Sequence, residues 1–209
     1  MPVTAKICGL STPETLDAAV AGGASHVGFV FFPPSPRNLS ADQARALAAR
    51  APGHVRKVGV FVDPDDALVD AAISAGIDAL QLHETSAQRR ADIAARTGRE
   101  IWAVIPIKQG ADLAYANHIG AADRILYDAK TPRGALPGGM GMRFDWKLLQ
   151  GFRHPLPWAL SGGLDSASIA DAARITGASL VDVSSGVETA PGVKDVDKIA
   201  SFLKAVRSL

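Results

Sequence analysis

Short runs of apolar, β-branched and aromatic residues recur along this chain, and alanine-rich stretches with helical spacing of their apolar positions lie between them. The first pattern predicts strands and the second predicts helices. Strands are predicted over Val3 to Cys8, His26 to Phe31, Lys57 to Val62, Ala79 to Leu82, Ile101 to Ile105, Arg124 to Asp128, Trp158 to Ser161 and Leu180 to Ser184. Helices are predicted over Glu14 to Ala21, Ala41 to Ala51, Asp65 to Ala75, Ser86 to Thr97, Ala111 to Ile119, Asp165 to Thr176 and Val196 to Val206, with a shorter one at Asp145 to Leu149. The start of the first helix is marked by Ser11-Thr12-Pro13-Glu14, which combines a capping hydroxyl, a proline whose missing N–H costs nothing there, and an acid near the positive helix end.

Eight βα units without an intervening linker predict an α/β fold, a single (β/α)8 TIM barrel forming one domain over residues 1–209. An open doubly wound sheet is the competing arrangement, but it normally uses fewer strands and a glycine-rich first turn. Side chains two apart on a strand share a face. Lys6 is therefore grouped with Cys8, Gln81 with His83 and Asp182 with Ser184, while Asp128 closes the sixth strand. Polar residues recurring at the carboxyl ends of barrel strands point to one active-site mouth. Taken singly, each has an ordinary alternative. His83 fits a satisfied core histidine, Lys6 fits a partner for Asp182, Gln81 fits a bond to backbone, and Cys8, the sole cysteine, fits a small buried hydrophobe.

The composition narrows the partners. The 209 residues are 47% hydrophobic with a formal net charge of +1, and lysines and arginines are spread among the acids. That gives no footprint for nucleic acid or for a membrane surface, and it favours a small polar ligand. No apolar run is long enough to span a bilayer, and the amino terminus lacks signal-peptide patterning, so a cytoplasmic protein is expected. Leu160-Ser161-Gly162-Gly163-Leu164 follows strand seven and Asp182-Val183-Ser184-Ser185-Gly186-Val187-Glu188 follows strand eight. Paired glycine and serine loops after these two strands are where barrels bind phosphate, and a short helix after the second loop is expected to aim its positive end inward.

Together Lys6-Ile7-Cys8-Gly9, Gly28-Phe29-Val30-Phe31-Phe32-Pro33 through Ser35-Pro36-Arg37, Val58-Gly59-Val60-Phe61-Val62, Gln81-Leu82-His83, Phe144-Asp145-Trp146, Ser161-Gly162-Gly163-Leu164 and Asp182 to Glu188 with Pro191-Gly192-Val193-Lys194-Asp195 resemble the phosphoribosylanthranilate isomerase family of tryptophan biosynthesis, nearly end to end. The resemblance implies a (β/α)8 TIM barrel of the ribose-phosphate-binding type acting as one catalytic domain without metal or organic cofactor, a phosphorylated small-molecule substrate, a monomer or homodimer, and an Amadori rearrangement of N-(5-phosphoribosyl)anthranilate. It also implies roles for individual residues. Cys8 matches the general base and Asp128 the general acid, Arg37 the arginine for the anthranilate carboxylate, and His83 and Asp182 residues near the ribose hydroxyls. Gly162, Gly163, Ser185 and Gly186 match the phosphate cradle.

These roles require Cys8 to be more acidic and Asp128 less acidic than the free side chains, with Lys6 as a candidate aid to Cys8 and the loop from Ala129 to Arg143 as a cover over Asp128. Outside that reading, Asp128 fits a helix or turn cap and Arg37 a solvated loop charge. Three positions depart from the family pattern: Glu84 stands where glycine is usual, and Met140 and Met142 replace more usual polar residues. Two other activities stay open. A histidine-pathway isomerase would generally carry aspartate at the place of Cys8, and a non-catalytic phosphate-binding barrel would need neither Cys8 nor Asp128.

Overall fold

The computed structural model describes residues 2–132 and 138–209. Eight parallel strands close into a barrel: β1 (Thr4–Cys8), β2 (His26–Phe31), β3 (Arg56–Val62), β4 (Ala79–His83), β5 (Glu100–Ile107), β6 (Arg124–Ala129), β7 (Trp158–Leu160) and β8 (Leu180–Val183). Closure comes from β1 against β8, with Thr4 opposite Leu180 and Lys6 opposite Asp182. This excludes the open sheet. The outer layer comprises α1 (Pro13–Ala21), α2 (Ala41–Ala48), α3 (Asp66–Ser74), α4 (Ala87–Thr97), α5 (Ile169–Thr176) and α6 (Val196–Arg207). Their starts follow local chemistry. Thr12 caps α1 with Pro13 in the first turn, Ser40 and Gln43 form a reciprocal capping box on α2, and Asp65, Ser86 and Asp195 cap α3, α4 and α6.

Several expected helices differ from prediction, including the short one, which is a 3-10 turn over Trp146–Leu149. The segment after β5 winds as a 3-10 helix over Gly110–His118. Asp112 turns its carboxylate back to accept from the Lys108 and Gln109 amides at 2.8 and 3.0 Å, which favours tight turns over an α-helical start. The helix predicted from Asp165 begins only at Ile169, because Asp165 accepts from the Ala167 and Ser168 amides and holds that stretch as a turn. The expected helix after the strand-eight loop is reduced to a 3-10 turn, Ser185–Val187. It is too short to carry a useful dipole, and it leads into an antiparallel hairpin of β9 (Glu188–Ala190) and β10 (Val193–Lys194).

Packing divides in three, the smallest cluster being Cys8, Val30 and Val60. Most apolar side chains lie between strands and helices in one large core, whereas Val58, Ala79, Trp102, Leu126, Ala159 and Leu180 form a separate cluster. These residues come early in their strands, so they plug the amino-terminal end of the barrel and leave the carboxyl end for polar groups. Lys6 Nζ lies 6.0 Å from the Trp102 ring centre, so the plug meets the charged layer directly. Among the described residues, no helix is long and apolar enough to cross a membrane.

At the mouth, Glu84 follows β4 with φ of +51°, so the chain keeps a left-handed turn without the usual glycine. A side chain there costs about 1–2 kcal/mol relative to glycine, partly offset by the ~0.4–1 kcal/mol of extra chain entropy that glycine loses on folding. Glu84→Gly is therefore expected to leave stability unchanged or raise it by up to about 1 kcal/mol, while β-branched Glu84→Val lowers it by about 1 kcal/mol or more. Urea denaturation of the three proteins checks this; a clear loss on Glu84→Gly contradicts the strain assignment.

Candidate active site

The inward positions at the carboxyl ends of the strands meet in one cavity of about 60 Å³, lined by Cys8, Arg37, Gln81, His83, Asp128, Ser161 and Asp182 among others. The parity argument thus brings together residues from β1, β4, β6 and β8 as expected. Lys6 lies deeper and is completely buried. Its Nζ donates to Asp182 Oδ1 at 2.8 Å, and Ser161 Oγ donates to Asp182 Oδ2 at 3.0 Å. Both Asp182 oxygens are therefore engaged inside the protein. Gly28 opposite Cys8 makes room for this layer: a β-carbon there would lie 2.9 Å from Cys8 Sγ and 3.1 Å from Lys6 Cε.

Burial drives the titratable groups apart. The Asp128 carboxyl is raised to about 7, first by desolvation and then by the charge of Asp182, against a bond from the Ala129 amide. Loss of solvation also lowers His83 to about 4, with Lys6 acting in the same direction, so its imidazole is neutral at pH 7. Cys8 departs from the expected direction. Its thiol is pushed up, because burial outweighs the opposing charge of Lys6. For Lys6 itself, burial favours the neutral amine, yet the charges of Asp182 and Cys8 overcome it and hold the ammonium.

Arg37 is not a solvated loop charge; it is 6% exposed. Its Nε and Nη2 donate to the two oxygens of Glu188 at 2.7 Å each, and Nη2 also donates to the Gly139 carbonyl at 3.0 Å. Glu188 in turn accepts from Lys194 Nζ at 2.6 Å, and Lys194 donates to the Ser184 carbonyl and hydroxyl at 2.9 and 3.2 Å. The β9–β10 hairpin thus delivers a carboxylate and an ammonium to the rim. Sequence reading noted this stretch but gave Glu188 and Lys194 no role. The available signal was the Pro191-Gly192 turn, which folds the two residues opposite each other.

A second, adjoining cavity of about 20 Å³ is lined by Gly162, Gly163, Ser184 and Ser185, with Gly138 to Met142 from the loop after β6. Asp128 and Asp182 line both cavities, so the two lie side by side. Gly186, expected in the same cradle, does not line it. A β-carbon on Gly186 would overlap the Leu164 carbonyl oxygen, so this glycine serves the close approach of the two loops. Met140 and Met142 are exposed. Gly138 and Gly139 cover the Asp128 side of the cavity, as expected of the Ala129 to Arg143 loop, whose residues 133–137 lie outside the described residues. Among the described residues, no group of three or more His, Cys, Asp or Glu side chains is arranged to hold a metal ion.

Comparison with known proteins gives one consistent result. The family pattern of N-(5'-phosphoribosyl)anthranilate (PRA) isomerase matches residues 5–205. The N-(5'-phosphoribosyl)anthranilate isomerase of Zymomonas mobilis subsp. pomaceae is 57% identical over 212 residues, covering 100% of each chain. A crystal structure of monomers generated from the dimeric phosphoribosylanthranilate isomerase of Thermotoga maritima superposes with a TM-score of 0.83 at 35% identity, covering 99% of this chain and 100% of that one. Another phosphoribosylanthranilate isomerase structure, in complex with reduced 1-(o-carboxyphenylamino)-1-deoxyribulose 5-phosphate, gives 0.84 at 33% identity with the same coverage.

The Lys6–Asp182 pair makes a prediction of its own. Removing one partner of a buried ion pair strands the other charge, at a cost of about 3–5 kcal/mol, whereas replacing both with apolar groups is far milder. Lys6→Met alone should destabilise strongly, and Lys6→Met with Asp182→Leu should recover much of the loss. Denaturant midpoints read the coupling; additive losses would show that the pair does not act as a unit.

Proposed function

This chain belongs to the N-(5'-phosphoribosyl)anthranilate isomerase family, and from that premise we propose that Cys8 and Asp128 divide the two proton transfers of its reaction. The enzyme catalyses the Amadori rearrangement of N-(5'-phosphoribosyl)anthranilate to 1-(2-carboxyphenylamino)-1-deoxyribulose 5-phosphate in tryptophan biosynthesis. Carbon C1′ is reduced and C2′ oxidised within one molecule, so protons must be moved but no outside oxidant is needed. Asp128, protonated, gives its proton to the ribose ring oxygen, and the ring opens to a protonated Schiff base. Cys8, as thiolate, takes the proton from C2′; the electron pair moves to form an enolamine, which tautomerises to the ketone.

The observation that carries this assignment is one cavity lined by both groups, with a carboxyl raised to about 7. Such a carboxyl is an effective acid at neutral pH. Asp182 favours the same state, since its charge opposes ionisation of Asp128. For Cys8 the support is the Lys6 ammonium, whose charge opposes the burial that raises the thiol. His83, neutral and buried, suits hydrogen bonding to ribose hydroxyls rather than proton exchange. Asp182, its oxygens already engaged, suits the same sugar only as an additional acceptor.

The substrate spans both cavities in this reading. Phosphate meets the backbone of Gly162 and Gly163 and the hydroxyl of Ser185, and the anthranilate carboxylate meets Arg37. Because Glu188 occupies one edge of the guanidinium, Nη1 is the donor left for that carboxylate, and Gly139 supplies space beside it: a β-carbon there would lie 2.6 Å from Nη1. Residues 1–209 act as one catalytic domain, cytoplasmic, and monomeric or homodimeric.

Cys8→Ala and Asp128→Asn should each lower kcat about a hundredfold or more, with folding and affinity for the reduced product analogue largely kept. The productive form carries a thiolate beside a protonated carboxyl, so it belongs to the singly protonated state of the pair. In the wild type, kcat/KM should therefore rise through about pH 7 and fall only above the ordinary thiol range. Folded variants at near wild-type rate, or a profile that falls through pH 7, contradict the assignment.

Arg37→Ala should weaken substrate binding by roughly 1.5–3 kcal/mol, the value of a charge-assisted hydrogen bond. An analogue with aniline in place of anthranilate lacks the carboxylate. It should bind the wild type poorly and lose little more on mutation. Equal weakening of both ligands would instead give Arg37 a role in holding Glu188 and the rim.

A further inference from the structure

Among the described residues, only two buried side-chain polar atoms lack a hydrogen-bond partner, and one of them, Gln81 Oε1, belongs to a residue lining the reaction cavity. Gln81 sits in the middle of β4, opposite Val60 on one side and Trp102 on the other, and is 2% exposed. Its Nε2 lies 3.0 Å from His83 Nε2 and donates to it in the tautomer whose proton is on Nδ1, while Oε1 meets no donor. The neighbouring polar groups are committed elsewhere. Lys6 and Ser161 donate to Asp182, and two guanidinium nitrogens of Arg37 donate to Glu188. A buried carbonyl oxygen without a donor destabilises the free protein, so its retention calls for a ligand that supplies one.

We propose that Gln81 is a specificity-determining residue that accepts a hydrogen bond from a sugar hydroxyl of the substrate through Oε1. The proposal rests on the isomerase reading above and adds a contact to it. The substrate's other polar groups fit poorly. Phosphate and carboxylate are acceptors and would be repelled by a carbonyl oxygen. The anilino N–H can bond internally to the ortho carboxylate. The sugar hydroxyls remain as donors. His83, held neutral by burial, contributes the other half of the unit: with Nε2 facing the amide, its Nδ1–H faces away from Gln81 and can donate. Gln81 and His83 together thus offer a sugar one acceptor and one donor without adding charge beside Asp128.

The test uses the reduced product analogue, 1-(o-carboxyphenylamino)-1-deoxyribulose 5-phosphate carrying a hydroxyl in place of the ketone, and its monodeoxy analogues. Calorimetric titration is run on wild type, Gln81→Met and Gln81→Glu. One deoxy analogue should bind wild type about 10- to 100-fold more weakly than the parent, the scale expected when a buried acceptor is left unpaired. Gln81→Met should bind the parent weakly by a similar factor and no longer discriminate that analogue. Gln81→Glu, which keeps an acceptor oxygen, should retain the discrimination, and it carries the test if near-ultraviolet circular dichroism shows Gln81→Met unfolded. A common loss for every analogue, which would mean that Gln81 only positions His83, overturns the proposal; so does unchanged discrimination in Gln81→Met, or its loss in a folded Gln81→Glu. Turnover of N-(5'-phosphoribosyl)anthranilate by wild type reports separately on the isomerase reading.

Discussion

The ion pair between Lys6 and Asp182 fixes the electrostatics of everything above it. The two residues face each other across the β1–β8 seam that closes the barrel, so closure and charge placement are one event. A buried pair contributes little net stability against an apolar alternative. Its value lies in the field it leaves. Lys6 faces Cys8 with positive charge, while Asp182 opposes ionisation of Asp128. One pair therefore biases the thiol toward its anion and the carboxyl toward its acid.

Around that pair, the remaining charges at the mouth are paired with one another, and Lys194 joins Lys6 in opposing the raised thiol of Cys8. His83 and Gln81 are neutral, and the Arg37, Glu188 and Lys194 charges lie on the rim, bonded to one another. Desolvation then has a selective effect. It raises Asp128, raises Cys8 and lowers His83, and only where a particular charge sits nearby is the shift strengthened or resisted. On the proposed assignment, with Cys8 as base and Asp128 as acid, environment rather than residue type decides the two roles.

Much of this was legible in the sequence because periodicity reports which side of a strand a residue faces. Lys6 with Cys8, Gln81 with His83 and Asp182 with Ser184 follow from strand parity, and barrel closure then brings them together. The pairing of Lys6 with Asp182 was one of two open readings, and register settles it. Legibility ended where contacts are distant in sequence and lie on loops. Nothing in the run around Arg37 signals that Glu188, 151 residues away, holds its guanidinium. Gly186 reads like its neighbours Gly162 and Gly163, yet it differs from them because the Leu164 carbonyl comes so close. The 3-10 winding of Gly110–His118 likewise depends on one aspartate reaching backward.

On the role proposed for Arg37, the rim network also explains how a flexible cationic side chain can discriminate a carboxylate. An unpaired arginine in a polar loop would lose side-chain freedom when it bound the ligand. Here that cost is met on folding, because Glu188 takes Nε and Nη2 and fixes the guanidinium plane. Against burial, Arg37 first and Lys194 second keep Glu188 ionised, Lys194 bonding the same Oε1 that Arg37 Nε engages. The pair leaves Arg37 nearly neutralised, which weakens long-range attraction for any anion but preserves a directed N–H beside Gly139. Recognition then depends on geometry more than on net charge, so a carboxylate in the wrong place gains little from this arginine.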